Sequence, residues 1–147
     1  MNGDFLNSLR ETFDLKYDNP GEVSSLILAY IGDAVYDVIT RTIVISKGNR
    51  PINAINKENK SYVNAATQAR LSEALEDKFS EEESVQFKRG RNAKSHSSAK
   101  NASLRDYRKA TGLEAVMGYL FLCGKDDRIL ELLKIGFDEI GKGQEEK

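Results

Sequence analysis

Residues Ala29–Thr42 read AYIGDAVYDVITRT. Apolar residues recur here at helical spacing, and the pattern extends outward from about Val23 to Lys47, where Gly48 stops it. Positions i, i+4, i+7 and i+11 share a helix face, which here carries Leu26, Tyr30, Asp33 and Asp37. Ile27, Ile31, Ala34, Val35, Val38 and Ile39 flank that face. A helix apolar nearly all round is expected at the centre of a domain. Asp33 interrupts it, and a carboxylate buried there is costly unless something pairs with it. Gly32, just before it, costs roughly 1 kcal/mol of helix propensity relative to alanine. Close approach of a second backbone would explain that glycine.

Outward from this helix the chain reads as helical almost throughout, so an all-α fold is expected. Residues 1–20 read as an N-terminal arm or short helix ending at Pro20-Gly21. Pro51 opens a helical region over Ile52 to Lys78, with a break expected near Asn59–Ser61. Ser80 with Glu83 forms a capping box that starts the next helix. From Asn92 to Ala102 periodicity is lost in NAKSHSSAKNA, a polar loop. Ser103 caps a helix that runs to about Cys123, where Gly124 ends it. Asp126 to Ile140 reads as a last amphipathic helix, and residues 142–147 as a frayed tail. The main domain is thus expected over residues 21–141. TIVIS, at 42–46, has strand propensity but continues the helical pattern without a turn signal.

At 147 residues with 39% apolar content, the chain can build one real core. It has no apolar run of ~18 residues, so no transmembrane helix is expected. The N-terminus lacks the order of a secretory signal, and a cytoplasmic location is expected. Cys123 stands alone in an apolar context, which excludes an internal disulfide framework and a cysteine-based metal site.

The formal net charge of −1 conceals a segregation of charge. Between Lys88 and Lys109 there are eight Lys/Arg and one acid, or +7, leaving 14 bases against 22 acids, or −8, elsewhere. A basic segment on an acidic body is the footprint of a polyanion-binding protein. The plain alternative is a solvated charged loop.

The helix beginning near Ser103 repeats the motif of the first. GLEAVMGYLFL sets Glu114 in an apolar run, with Gly112 before it and Gly118 one turn after. Two such helices crossing at their glycines would bring Asp33 and Glu114 together. Two carboxylates at one site raise each other's pKa unless a cation lies between them. Hard oxygen ligands suit Mg²⁺, Mn²⁺ or Ca²⁺. The alternatives are that Asp33 pairs with Arg41 or Arg108, and that Glu114 lies on a solvated stripe. Asp37 reads as a surface partner of Arg41.

LAYIGDAVYD (28–37), KRGRNAKS (88–95) and YRKATGLEAVMGYLFL (107–122), in that order, resemble the bacterial Mini-ribonuclease III family. That family is similar to the catalytic domain of ribonuclease III, and the resemblance spans about residues 22–135. It implies an all-helical, homodimeric ribonuclease III endonuclease fold. It further implies Mg²⁺-dependent cleavage of double-stranded RNA, with Mn²⁺ able to substitute, leaving 5′-phosphate and 3′-hydroxyl ends. The substrate implied is the precursor of 23S ribosomal RNA, with a large-subunit ribosomal protein as a further partner. Asp33 and Glu114 match the family's signature acids and are the expected catalytic and metal-binding residues. Lys88, Arg89, Arg91, Asn92, Lys94, Ser95 and Lys100 are the expected RNA contacts. His96 reads as an RNA contact or an exposed side chain rather than a general base. Ribonuclease III proper has acids where this chain has Leu26, Ala29 and Thr111, so a metal shell here is thinner in carboxylates. About 25 residues follow Cys123 in this sequence, so the duplex-RNA-binding domain that ribonuclease III carries is not expected here. A helical RNA-binding or ribosome-assembly module without cleavage is the alternative that the missing acids suggest. The dimer contact is expected from the apolar faces around Leu26, Tyr30 and Tyr119.

Overall fold

A computed structural model describes residues 2–16, 19–93 and 103–142. Among the described residues seven α-helices make the fold: α1 (Asp4–Phe13), α2 (Ser25–Ile45), α3 (Ile52–Val63), α4 (Ala65–Leu75), α5 (Glu81–Asn92), α6 (Leu104–Leu122) and α7 (Asp126–Ile140). A single 3₁₀ turn, Pro20–Glu22, leads into α2, and there is no strand among the described residues. TIVIS does continue α2, which runs unbroken to Ile45.

The caps lie where their chemistry predicts. The Ser80 hydroxyl accepts from the Glu83 amide while the Glu83 carboxylate accepts from the Ser80 amide, a complete capping box. The Ser103 hydroxyl accepts from the Asp106 amide at the start of α6. The break in the second helical region falls at Asn64 rather than at Asn59–Ser61. Asn64 adopts an extended backbone, and its side-chain oxygen accepts from the Thr67 amide, so one asparagine ends α3 and caps α4.

Helix α6 is the hub. It packs against α2, α4, α5 and α7, with Leu113, Val116, Met117 and Leu120 fully buried. Around it Tyr36, Tyr62, Leu71, Leu75, Phe87, Leu132, Leu133 and Phe137 close the main core. Each such side chain contributes about 1.5–3 kcal/mol when buried. Tyr62 meets Phe137 edge-on at 5.3 Å, and the buried Tyr36 hydroxyl donates to the Tyr62 carbonyl at 2.6 Å.

The expectation that α2 is buried all round is corrected. Leu28, Ala29, Gly32, Tyr36, Thr40 and Val44 face inward. Ile27, Tyr30, Ala34 and Val38 face outward. The reason is geometric: the closest neighbours of α2, chiefly α6 with α3 and α5, cover one side of it.

The tightest contact in the fold is the crossing of α2 and α6. A Cβ placed on Gly32 would overlap the Glu114 carbonyl oxygen, and one placed on Gly118 would overlap the Leu28 carbonyl oxygen. The two backbones touch reciprocally, and no side chain can be inserted without moving a whole helix. Gly32→Ala and Gly118→Ala should each cost at least about 3 kcal/mol in urea unfolding, at the upper end of overpacking effects. Gly21→Ala, which meets ordinary space, is the control, and equal midpoints for all three variants would refute the crossing.

Candidate active site

The α2–α6 crossing sets the site. Because Gly32 lies against the backbone of Glu114, the next residue along α2, Asp33, has its carboxylate within hydrogen-bonding reach of the Glu114 side chain. The two expected site acids, far apart in sequence, are therefore neighbours. Their surroundings differ from the expectation. Asp33 is exposed, and Glu114 is the half-buried member. The cost foreseen for a buried Asp33 falls instead on Glu114.

Burial, and then contact with the Asp33 carboxylate, push the Glu114 carboxyl up to about 8. A hydrogen bond from Gln68 pulls it the other way. That bond runs from Gln68 Nε2 to Glu114 Oε2 at 3.2 Å. Tyr36 lies close enough that the charge of Glu114, after burial, holds its hydroxyl above the usual tyrosine range. The site is thus an acid pair at the mouth of a wall formed by α2, α4 and α6.

Asp37, one turn beyond Asp33, is engaged elsewhere. It accepts from Arg41 at 2.8 Å and from Asn59 at 3.1 Å. Among the described residues no cluster of three or more His, Cys, Asp or Glu side chains is placed to share a metal ion. Ala29 packs in a small cluster with Leu28 and Ala115, Leu26 is exposed, and the Thr111 hydroxyl donates to the Tyr107 carbonyl. None of these three positions supplies a carboxylate. A contact pair of carboxylates, one displaced upward by burial and then by its neighbour, is nevertheless a donor set that a hard divalent cation fits, because a cation between them removes the repulsion.

The described start of the basic segment, the end of α5, packs on α6 next to Glu114. Gly90 of α5 packs into α6, where an added Cβ would stand 2.8 Å from Ala115 Cβ and 3.0 Å from Gly112 Cα. A bidentate ion pair between buried Glu83 and Arg128 of α7 anchors the other end of α5, with contacts of 2.8 and 2.9 Å. The individual cations then divide by role. Arg89 donates to the Gly21 and Val23 carbonyls and to Gln86, tying the lead-in of α2 to α5. Arg91 lies over the Phe87 ring, 5.7 Å from its centroid, and donates to Asn92. Arg105 and Lys109 both pair with Glu73 of α4. Lys88 and Arg108 are exposed. Lys94, Ser95, His96 and Lys100 lie outside the described residues.

Sequence reasoning missed Gln68. Its only trace was polarity on the inward stripe of α4, where Thr67, Gln68 and Ser72 sit among Ala69, Leu71 and Leu75.

The ribonuclease III domain family matches residues 26–125. A Mini-ribonuclease 3 from Clostridium tetani is 47% identical over 123 residues, covering 83% of this chain and 78% of the relative. One from Thermoanaerobacter is 38% identical over 140 residues, covering 95% and 99%. The crystal structure of a Fusobacterium nucleatum protein superposes with a TM-score of 0.74 at 29% identity, covering 80% of this chain and 95% of that one. The chain belongs to the Mini-ribonuclease 3 family of ribonuclease III-domain proteins, a family of endoribonucleases.

The displaced carboxyl gives a stability signature in divalent-free buffer. The folded state keeps a proton on Glu114 that the unfolded state releases near its usual 4.5, so stability falls as pH rises from there to about 8. Glu114→Gln fixes the neutral form. Its melting temperature should differ little from the parent's at about pH 5 and exceed it clearly at about pH 9. The same difference at both pH values would contradict the displacement.

Proposed function

We propose that this endoribonuclease cuts double-stranded RNA with the help of a divalent cation, Mg²⁺, held by Asp33 and Glu114, with residues 21–141 as the catalytic unit. The observation that carries the reading is the contact between these two carboxylates beside a cationic helix end. When bound there, Mg²⁺ supplies a water of lowered pKa and offsets negative charge on the leaving 3′ oxygen, with Mn²⁺ able to replace it. No covalent nucleophile is required of the chain, and the products carry 5′-phosphate and 3′-hydroxyl ends.

The protein's own contribution is position and field. Asp33 reaches the site from the exposed side and Glu114 from the half-buried side, so the pair has one face to protein and one to substrate. Lys88, Arg91 and Arg108 offer charge to phosphates, and Asn92 offers an amide to sugar hydroxyls in the wide minor groove of A-form RNA. Lys94, Ser95 and Lys100, outside the described residues, are assigned to RNA binding from the family resemblance. Arg89 acts indirectly, by holding α5 against the start of α2.

The outward face of α2 supports a homodimer. Tyr30 is 80% exposed and Val38 64%, beside a groove of about 380 Å³ lined by Ile31, Ala34, Val35, Phe121 and Ile129. Exposed apolar side chains grouped on one face favour an interaction site. A two-fold pairing through α2 would set two acid pairs in fixed relation, so that both strands of one duplex are cut. Tyr119, half-buried against both core clusters, is less suited to such a contact. The substrate we assign is the stem around the ends of precursor 23S ribosomal RNA, presented with a large-subunit ribosomal protein.

Two experiments test this. Asp33→Asn should keep the fold and duplex binding while cleavage falls by more than the roughly 100-fold typical of losing a supporting group at a metal site. Cleavage at the parent rate, or cleavage that persists in EDTA, would refute the metal reading. Loss of binding but not of cleavage chemistry is expected of the surface cations. Lys88→Ala with Arg108→Ala should flatten the salt dependence of duplex binding by about 2 in log–log slope, about 1 for each phosphate contact. An unchanged slope removes them from the interface.

A further inference from the structure

A residue on a third helix touches the acid pair. Gln68 is 3% exposed, and its amide donates to Glu114 Oε2 at 3.2 Å. It has little freedom to swing away. The preceding residue, Thr67, is held twice, by its amide to Asn64 Oδ1 and by its hydroxyl to the Ser61 carbonyl, each at 2.8 Å. Ala69, Leu71 and Ser72 beyond it are buried. Helix α4 therefore presents this amide to Glu114 from a rigid seat.

The chemistry of the donor matters. A lysine or arginine at this point would neutralise Glu114 and compete with any cation for the pair. A third carboxylate would deepen the repulsion that already exists between Asp33 and Glu114. An amide satisfies one oxygen of Glu114 while leaving the charge of the pair available. Groups that orient a ligand through its second oxygen tune metal sites in this way.

We propose that Gln68 is a positioning residue of the acid pair, holding the Glu114 carboxylate toward Asp33 without adding charge, so that two carboxylates suffice to bind a divalent cation. This rests on the metal-dependent reading above. It assigns a role to α4, which carries neither Asp33, Glu114 nor any of the expected RNA contacts. It also offers a reason why a shell lacking acids at Leu26, Ala29 and Thr111 can still work: Glu114 is held by a neighbour instead of being shared among further carboxylates.

The test measures Mn²⁺ affinity directly, from the loss of the free-ion electron paramagnetic resonance signal, in the intact protein. Gln68→Leu and Gln68→Met both remove the amide, and Met disturbs the side-chain shape less. Each should weaken Mn²⁺ binding by about 10- to 100-fold, the range for losing such a support. Their kcat on duplex RNA should fall while KM for the duplex stays at the parent value. In a Glu114→Gln background, Gln68→Leu should weaken Mn²⁺ no further, because Gln68 acts through Glu114. Parent-like Mn²⁺ affinity in both single variants overturns the inference and leaves the metal reading standing. An equal loss with and without Glu114 also overturns it, since it would reveal packing alone. If the parent itself binds no Mn²⁺ and cleaves without divalent ions, the metal reading falls, and this inference falls with it.

Discussion

Two backbones in contact determine most of this molecule. Gly32 rests on the Glu114 carbonyl and Gly118 on the Leu28 carbonyl, so α2 and α6 meet without intervening side chains. The other helices are arranged around that pair: α5 packs into α6 at Gly90, and α4 and α7 close the remaining sides. The contact has a chemical consequence as well as a structural one. A glycine one position before an acid, placed against the backbone of a second acid, brings the two carboxylates within reach of each other. Stability and site geometry therefore share one constraint, and a change that opened the crossing would weaken both.

The acid pair that results is under strain of charge rather than of backbone. Glu114 is half-buried, meets Asp33, and has its carboxyl pushed up to about 8. Such a pair can relieve itself by taking up a proton or by taking up a cation. A divalent ion is the better relief near neutral pH, because it compensates both carboxylates at once. The neutral donor from Gln68 fits this economy, since it satisfies an oxygen and leaves the charge of the pair intact.

Cationic charge is divided along structural lines that counting conceals. The segment from Lys88 to Lys109 carries an excess of bases, yet several of them serve the fold. Arg89 ties α5 to the lead-in of α2, and Arg105 and Lys109 are matched by Glu73. The acidic body partly neutralises its own basic face at the α4–α6 seam. The cations left to face outward, Lys88 and Arg108 among the described residues, lie on the two helices that Gly90 and Gly112 bring into contact. Outward-facing positive charge and the acid pair are thus carried on the same packed scaffold.

Much of this was legible in the residues themselves. Helical period, the Ser80–Glu83 box, the Ser103 cap and the Gly124 stop are local features, decided within a few residues by backbone hydrogen-bonding needs and side-chain reach. Paired acids beside glycines announced a close crossing, because mid-helix glycine has few other uses. What the chain could not announce by itself was which side of each helix is covered. Asp33 and Tyr30 lie exposed although their helix reads as apolar all round, since α6, α3 and α5 reach only one side of it. The Asn64 break, the diversion of Arg89 and the Gln68–Glu114 bond share that dependence on neighbours brought from elsewhere in the fold. Periodicity and capping are determined by residues a turn apart and so belong to the sequence. Exposure, charge pairing and the environment of Glu114 are determined by how rigid helices meet across long separations, and only tertiary packing decides that.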